Sequence, residues 1–198
     1  MRRSSPSLAH APIALVAALA FLASGCTEEP EPEPEVPNNA FCEQVAAWDP
    51  AHAAYEREVL DAINERRAEG ANCEGGGEFL TPAEPLRMQA ELRCAARKHT
   101  LAMVDEDLFE HEIPEGETYS DRAAAAGYVG EAVAQSIAAG QRDPSQVVAT
   151  WMSNDANCAN LMNPDATELG VGYRFGDPDT NEYGHYWTAV FGVGDGAP

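Results

Sequence analysis

The sequence predicts an α+β domain, because helical patterns come first along the chain and strand-like runs come last. Two long segments repeat apolar residues every three or four positions, which is the period of a helix. Near the C-terminus, residues 169–175 and 186–193 are rich in β-branched and aromatic side chains, and the polar segment 176–182 between them is typical of a hairpin connection. This order of elements favours helices packed on an antiparallel sheet.

The first helix is predicted to begin at Pro50 and to end at Gly70. Asp49 belongs to the residue types that cap helix N-termini, and proline is favoured at the first helical position. Within this segment the following residues recur at helical spacing: Tyr55, Val59, Ala62, Ile63 and Arg66. Residues 71–85, which contain three consecutive glycines, are predicted to form a loop.

Three more helices and a short strand are predicted between this loop and the hairpin. The second helix follows Pro85 and carries an apolar stripe made of Met88, Leu92, Ala95, Ala96, His99 and Met103. The third is short, starting at Ser120 and Asp121 and stopping at Gly127. The fourth opens like a capping box, with an N-cap, a first-position proline and an N3 glutamine at Asp143, Pro144 and Gln146. Residues 136–138 are predicted as a further strand.

Residues 1–25 are predicted to be a lipoprotein signal peptide. Arg2 and Arg3 place positive charge before the apolar run 13–23, which is too short to cross a bilayer as a stable helix. Small residues directly before Cys26 are what a lipoprotein signal peptidase requires. We therefore expect Cys26 to be diacylated and to hold the protein on a membrane through its buried acyl chains. The alternative is ordinary secretion with an unmodified cysteine.

Residues 26–40 are predicted to be a disordered tether, and residues 41–198 the folded domain. The tether contains the run TEEPEPEPEVP, whose alternating glutamate and proline cannot bury apolar surface. The formal charge of −21 argues against nucleic acid or an anionic membrane surface as partners. We expect the domain to lie at the cell envelope. The outer membrane or cell surface is favoured over the inner membrane, because Thr27 replaces the aspartate that often retains lipoproteins there.

The cysteines and histidines of the domain are the residues most suited to special chemistry. Four cysteines in an exported domain predict two disulfides, and their spacing leaves all three connectivities open: Cys42, Cys73, Cys94 and Cys158. His99 falls on an apolar stripe and is predicted to be packed and hydrogen-bonded. His52 is predicted to be exposed, and His185 could face either way. His111 is the best candidate for a cleft.

No common catalytic motif is present in the sequence. The patterns of serine hydrolases, zinc metalloproteases, P-loop proteins and dinucleotide-binding folds are all missing. No CxxC pair occurs either, which argues against a structural zinc site. The residues by themselves therefore predict an extracytoplasmic α+β domain without a recognisable active site.

Nine segments in order nevertheless resemble the CAP superfamily (cysteine-rich secretory proteins, antigen 5, pathogenesis-related-one) in its bacterial form. They span nearly all of residues 55–193 and are 59–67, 92–103 (LRCAARKHTLAM), 109–111, 127–128, 137–144 (IAAGQRDP), 147–152 (VVATWM), 158–164 (CANLMNP), 167–173 (TELGVGY) and 186–192 (YWTAVFG). The resemblance implies a three-layer α-β-α sandwich with helices around a mostly antiparallel sheet. It also implies a disulfide between Cys73 and Cys158, the positions that match the two cysteines of bacterial relatives, which leaves Cys42 to pair with Cys94.

The functional feature of the family is a cavity lined by two histidines and acidic residues, which binds a divalent metal in some members. The resemblance places the first histidine at His111. The other positions carry amides: Gln135 for a glutamate, Asn157 for the second histidine, and Asn154 for the second acidic residue. Two carboxylates are possible neighbours of the cavity, namely Glu131 and Asp155.

These amides predict a cavity without acid–base or metal chemistry. An amide cannot act as a proton-transfer base near neutral pH, and it is a poor zinc ligand. We therefore expect no cofactor and a non-catalytic binding module that takes a small apolar ligand or an envelope or extracellular protein. One alternative is a metal- or histidine-assisted hydrolase that uses His111 with Glu131 or Asp155. Another is a structural envelope protein whose pocket has no function.

Overall fold

The structure is a computed structural model that describes residues 34–79, 81–114 and 116–194, together with Met1. The predicted signal peptide, the lipidation site Cys26 and most of the predicted tether lie outside these residues, so those predictions stay predictions. Among the described residues, no helix combines the length and apolar character needed to cross a membrane.

The centre of the domain is a four-stranded sheet made of β3 (Arg87–Met88), β4 (Glu131–Ala139), β5 (Glu168–Phe175) and β6 (His185–Val193). The spatial order of these strands is β3–β5–β6–β4. The long strands pair antiparallel, while the short β3 pairs parallel with β5. In this register Gln135 lies opposite Val190. The predicted hairpin is confirmed, because β5 and β6 are consecutive strands that pair antiparallel.

Six α-helices surround this sheet in the described part of the chain. They are α1 (Glu43–Ala46), α2 (Pro50–Glu69), α3 (Ala90–Asp105), α4 (Tyr119–Ala126), α5 (Pro144–Met152) and α6 (Asp155–Met162). Strands β1 (Ala71–Asn72) and β2 (Glu78–Phe79) form a separate two-residue ladder around one turn of 3-10 helix, Glu74–Gly76.

The helices cover both faces of the sheet, which gives the expected α+β sandwich of three layers. One face packs against α2 and α5 through a large core that includes Val59, Trp151 and Trp187. The other face packs against α3 and α4 around Leu92, Ala123 and Val190. Successive residues of a strand point to opposite faces. Alternate residues of β4, β5 and β6 therefore bury apolar side chains in two separate cores.

Helix α3 lies very close to β5, and glycine makes this approach possible. A Cβ atom added to Gly170 would lie 2.0 Å from the carbonyl carbon of Leu92, and one added to Gly172 would lie 2.6 Å from that of Ala96. No side chain larger than hydrogen fits at these positions. The two glycines of β5 thus fix the distance between α3 and the sheet.

The helix starts agree with the residue types at their N-caps. The Asp49 carboxylate accepts a 2.8 Å hydrogen bond from the Ala51 amide and Pro50 opens α2, as predicted. Asp143 caps α5 through the Gln146 amide (2.9 Å). The Gln146 side chain bonds the Asp143 carboxylate. At α4, a complete capping box joins Thr118 and Asp121.

Some elements differ from the sequence prediction for local reasons. Helix α3 begins at Ala90 rather than directly after Pro85, because Gln89 is extended and its side chain caps the helix. Met88 therefore belongs to β3. The predicted strand 136–138 is part of the nine-residue β4, and the predicted loop 71–85 contains β1, β2 and the 3-10 turn. Helices α1 and α6 were not predicted, since one is four residues long and the other is rich in asparagine.

Two disulfides connect the helical layers to outlying segments. Cys42 at the start of α1 pairs with Cys94 in α3, and their Cα atoms are 5.7 Å apart. Cys73, just before the 3-10 turn, pairs with Cys158 in α6 at a Cα separation of 5.5 Å. These are the two pairings that the family resemblance implied.

Candidate functional site

The side chain at the centre of the candidate site is Arg122 of α4, which is 1% exposed. Its Nη2 donates to the Oε1 of Gln135 (2.7 Å) and to the backbone carbonyl of His111 (3.1 Å). Its Nη1 donates to the carbonyl of Glu117 (2.8 Å). The guanidinium thereby ties α4, β4 and the segment after α3 together, and we call this arrangement the Arg122 centre.

The Arg122 centre holds a buried positive charge with little opposite charge close to it. Among the described residues, the carboxylate paired with it is that of Glu117, 4.0 Å from Nη1 and one-third exposed. Burial lowers the pKa of Arg122 to about 10, although Glu117 and Asp121 oppose the shift. The side chain remains protonated near neutral pH. Its hydrogen-bond partners are an amide oxygen and two carbonyls rather than an acid.

Three buried polar atoms around Arg122 have no hydrogen-bond partner among the described residues. They are the Nε of Arg122, the Nε2 of Gln135 and the Nδ1 of His99. Two of these atoms are donors, and an unsatisfied buried donor costs about 1–3 kcal/mol. The two terminal nitrogens of Arg122 are therefore hydrogen-bonded, while the Nε of Arg122 and the Nε2 of Gln135 are not.

His99 is buried beside this centre, as its place on an apolar stripe predicted. Its Nε2 bonds the carbonyl of Glu110 at 3.0 Å. Burial lowers the pKa of His99 to about 3, and the positive charge of Arg122 acts in the same direction. The imidazole is neutral at physiological pH, and its packing makes it a structural residue.

His111 joins the Arg122 centre through its backbone, while its side chain is exposed. Partial burial lowers the pKa of His111, and the charge of Arg122 acts in the same direction. His111 and Gln135 are thus brought together by one guanidinium.

Among the described residues, none of the three predicted positions in and before α6 is hydrogen-bonded to the Arg122 centre. Asn154 is the N-cap of α6 and accepts a 3.0 Å hydrogen bond from the Asn157 amide. Asp155 is exposed and accepts from the Gly75 amide at 3.0 Å. Asn157 is half-buried, one helical turn before Asn160.

The Asn160 side chain donates to the carbonyl of Gln135 and to the hydroxyl of Ser136, both at 3.3 Å. Neighbouring strand residues face opposite ways. Helix α6 therefore contacts β4 on the Ser136 side, while Arg122 bonds the Gln135 side chain on the other face.

Glu131 lies apart from the Arg122 centre. It is the exposed first residue of β4, opposite Val193, and Gln135 follows four residues later. At about 3.3 Å of rise per residue, the two Cα atoms are separated by roughly 13 Å along the strand.

The other two histidines of the described residues belong to an aromatic cluster on the opposite face of the sheet. His52 was predicted to be exposed, and this is wrong: its ring lies edge-on to Tyr173, 4.9 Å between centroids, and its Nδ1 is buried. The first turn of α2 packs on β5, which explains the difference. His185 begins β6, and its Nδ1 lies 2.9 Å from the Tyr173 hydroxyl.

Sequence reasoning missed Arg122, the residue that organises the candidate site. A signal was present, because Arg122 is the only lysine or arginine between Lys98 and Arg142 and it lies next to a run of four alanines. A lone cation on a short alanine helix suits a buried position that is held by backbone carbonyls.

The side chains at the Arg122 centre do not fit a divalent metal. The set consists of one exposed imidazole, one amide and a fixed guanidinium cation, whereas zinc prefers thiolate, imidazole and carboxylate ligands. Within the described residues, no group of three or more His, Cys, Asp or Glu side chains is placed to hold a metal ion. A second cation at this position would also meet the charge of Arg122 directly.

Residues 60–191 match the Cysteine-rich secretory protein family, CAP. The match covers more than half of the chain, and the chain therefore belongs to the CAP family. It is 30% identical over 140 residues to the uncharacterized protein YkwD of Bacillus subtilis (strain 168), which amounts to 70% of this chain and 47% of YkwD. The chain thus spans about half the length of this curated relative.

Two solved structures are similar in fold. An extracellular protein containing an SCP domain from Bacillus anthracis str. Ames superposes with a TM-score of 0.57 at 20% identity, over 73% of this chain and 41% of that one. An outer surface protein from Borrelia burgdorferi superposes with a TM-score of 0.54 at 15% identity, over 70% of this chain and 95% of that one. At these identities the comparisons support the fold alone.

Proposed function

We propose that this CAP-domain protein is a non-catalytic binding module, exported and anchored at the cell envelope through Cys26. The observation that carries the proposal is the Arg122 centre. A buried guanidinium bonds the Gln135 side chain and the His111 backbone, the two cavity positions that would otherwise supply reactive groups. The cavity position is thereby used for structure, and binding takes place on the surface outside it.

The chemistry of the site supports a role without catalysis. General acid–base catalysis needs a group that exchanges protons near neutral pH and lies within hydrogen-bond reach of the substrate. Gln135 cannot exchange a proton in this range. The hydrolase alternative pairs His111 with Glu131 or Asp155, but Glu131 lies at the start of β4 and Asp155 bonds the Gly75 amide. These placements favour the non-catalytic interpretation, because no hydrogen bond joins either carboxylate to His111 among the described residues.

A groove beside His111 supports surface binding. Its lining combines apolar residues with three glutamates, and it has a volume of about 660 Å³, within the range of small-molecule sites. The apolar part is formed by Ala102, Leu108, Ile113 and Pro114. Such a groove suits a small apolar ligand or an apolar side chain of an envelope or extracellular partner.

The proposed location has two sources of support. The first is the N-terminal sequence, in which small residues precede Cys26 behind a positively charged and apolar stretch. The second is the kind of protein in which the two similar structures occur, one an extracellular protein and the other an outer surface protein. Replacing Cys26 with serine is expected to abolish incorporation of a labelled fatty acid into the protein, because the acylated thiol is lost.

Thermal unfolding with added metal tests the absence of metal chemistry. We expect the melting midpoint of the mature chain to stay constant when zinc is added at micromolar concentration, because the donor set does not fit the ion. A midpoint rise of several degrees that His111→Ala abolishes would overturn the proposal. Hydrolytic activity that disappears in His111→Ala but survives in the control His185→Ala, on the other side of the domain, would overturn it independently.

A further inference from the structure

One end of the domain exposes three large apolar side chains, two of which are in contact. Leu108, Phe109 and Tyr183 are 42%, 42% and 40% exposed, and we call these three residues the aromatic face. The rings of Phe109 and Tyr183 have centroids 5.8 Å apart, although the two residues are distant in sequence. Single exposed apolar residues are common on proteins, but a contiguous group of them marks an interaction site more often.

The aromatic face is held in place by hydrogen bonds between its two segments. The carboxylate of Asp107 accepts from the Glu182 amide (2.9 Å) and from the Tyr186 hydroxyl (3.1 Å). The Asn181 side chain donates to the carbonyl of Val104 at 2.7 Å. Asp107 has a φ of 49°, a left-handed conformation that aspartate tolerates better than most residues. A surface ordered before binding loses less entropy when a partner docks.

The two segments that form the aromatic face carry only acidic charge, while the cations that flank the first segment, Lys98 and Arg122, line an adjacent hollow with Ile113. Residues 99–121 contain eight Asp and Glu, residues 175–194 contain three, and neither segment contains Lys or Arg. Exposed carboxylates flank the aromatic face on both segments, among them Glu106, Glu110 and Glu182. Arg174 of the adjoining strand β5 lies over the ring of Trp48 instead, 5.5 Å from its centroid. The apolar surface is thus framed by negative charge.

We propose that the aromatic face docks a basic peptide segment that carries apolar side chains, supplied by an envelope or extracellular protein. Apolar side chains of the partner cover Leu108, Phe109 and Tyr183 and enter the neighbouring groove over Ile113. Its lysines and arginines reach the surrounding carboxylates, and its arginines stack on the exposed rings. This inference rests on the proposed function, because it names the partner class of the same binding module.

Charge complementarity selects this occupant over a lipid surface. An anionic membrane would be repelled by the carboxylates around the aromatic face. A basic segment is attracted to the same groups at long range, and salt weakens this attraction. The apolar residues add short-range binding that salt does not weaken. The charge attraction and the apolar contacts can therefore be separated by measuring binding at different salt concentrations.

The test measures binding of the full mature chain to an amphipathic peptide of lysine and leucine, about five helical turns long. The matched probe is the same peptide with glutamate in place of lysine. We expect binding of the lysine peptide only, with an affinity about tenfold weaker in Phe109→Ser with Tyr183→Ser, because two exposed rings are lost. Val129→Ser is the apolar control, since Val129 is 80% exposed and lies outside the aromatic face.

Because the whole chain is acidic, charge needs its own control. The triple substitution Glu106→Gln, Glu110→Gln and Glu112→Gln is expected to weaken binding more than the equally neutralising set on the exposed face of α2, Glu58→Gln, Asp61→Asn and Glu65→Gln. Equal weakening by both sets would overturn the proposal.

Two further results would contradict the partner class: unchanged affinity in the serine variants, or binding of neutral phosphatidylcholine vesicles through the aromatic face. None of these substitutions replaces a residue whose side chain belongs to the Arg122 centre. A negative result here leaves the zinc and hydrolysis tests of the proposed function independent.

Discussion

Two of the buried arginine centres in the domain differ in what neutralises them. The first joins α2 to α3, where the carboxylate of Glu56 accepts from Arg93 (2.9 Å) and from Arg97 (2.6 Å). We call it the Glu56 centre, and its carboxylate is fully buried. The second is the Arg122 centre, where one guanidinium bonds the Gln135 amide and two carbonyls. The first centre is held by a fully buried carboxylate, and the second by neutral oxygens with one partly exposed carboxylate, that of Glu117, 4.0 Å away.

The comparison indicates that the two centres have different roles. The Glu56 carboxylate also accepts from the Tyr173 amide (3.3 Å), so it links two helices to β5. This is an extensive ionic cluster in the structural core. The Arg122 centre brings together two of the positions that the family resemblance assigned to the cavity, and it leaves buried donors without partners among the described residues. A neutral amide beside a guanidinium gives weaker bonds than a carboxylate would.

The largest expected effect is at the Glu56 centre. Glu56→Gln removes the negative charge and leaves Arg93 and Arg97 buried together, which is expected to lower the free energy of unfolding by about 3–5 kcal/mol. Urea denaturation at pH 7 measures the loss. The control is Glu58→Gln, an exposed glutamate on the same helix, which should change stability by less than about 0.5 kcal/mol. A loss below about 1 kcal/mol in Glu56→Gln would remove the basis of the comparison.

The next largest effect concerns the hydrogen bonds that the Arg122 guanidinium donates at the Arg122 centre. Arg122→Lys keeps the charge but cannot reach Gln135, His111 and Glu117 with the geometry of a guanidinium. Each buried acceptor left without a donor costs about 1–3 kcal/mol, so we expect stability to fall by about 2–3 kcal/mol. Arg142→Lys, at an exposed arginine, should be neutral. If both variants unfold at the same urea concentration, the positive charge of Arg122 contributes to stability and its hydrogen-bond geometry does not.

A smaller effect on stability comes from His99, whose buried imidazole is neutral in the folded protein. The pKa of His99 is about 3 in the folded protein and 6.5 in the unfolded chain. Between pH 6.5 and pH 3 the imidazole is therefore protonated in the unfolded chain but not in the folded protein. Stability is therefore complete above pH 6.5 and falls as the pH is lowered. Between pH 7 and pH 5 the loss is about 2 kcal/mol.

His99→Gln tests this origin of acid sensitivity, because the variant should lack this part of the pH dependence even if it is less stable at pH 7. His111→Gln is the matched control. Its imidazole is exposed, so its removal should change the pH dependence much less. An unchanged slope in His99→Gln would place the acid sensitivity at other groups.

The sequence predicted elements well where local chemistry decides the structure. Asp49 with Pro50 and Asp143 with Pro144 set helix starts through caps that depend on neighbouring residues alone. It predicted poorly where tertiary contacts decide. Helix α6 has a weakly apolar, asparagine-rich sequence and is held by the sheet and by the Cys73–Cys158 disulfide. Strand β3 exists because two residues pair with β5.

The candidate site shows the same division between local and long-range information. The family resemblance implied that His111 and Gln135 belong together, and the structure connects them. The connection runs through Arg122, whose role depends on three acceptors in two segments of the chain, the one between α3 and α4 and strand β4. The spacing of residues in one segment carries no information about such a cluster. Arg122 as the lone cation of a long segment is a sign of burial, but it does not identify the partners.

The smallest expected effect is a gain of stability that would make the two centres alike. Gln135→Glu places a carboxylate 2.7 Å from the Arg122 guanidinium and removes the buried Nε2 that has no partner among the described residues. A charge-assisted bond is about twice as strong as a neutral one, while burial of the carboxylate opposes part of the gain. We expect a net increase of about 1 kcal/mol in the free energy of unfolding at pH 7. The gain should disappear at acid pH, where the new carboxyl is protonated.

Gln141→Glu, at another partly buried glutamine remote from Arg122, should give no gain. A destabilised Gln135→Glu would instead mean that the neutral amide is required, because the surrounding cavity cannot hold a second charge even beside a guanidinium.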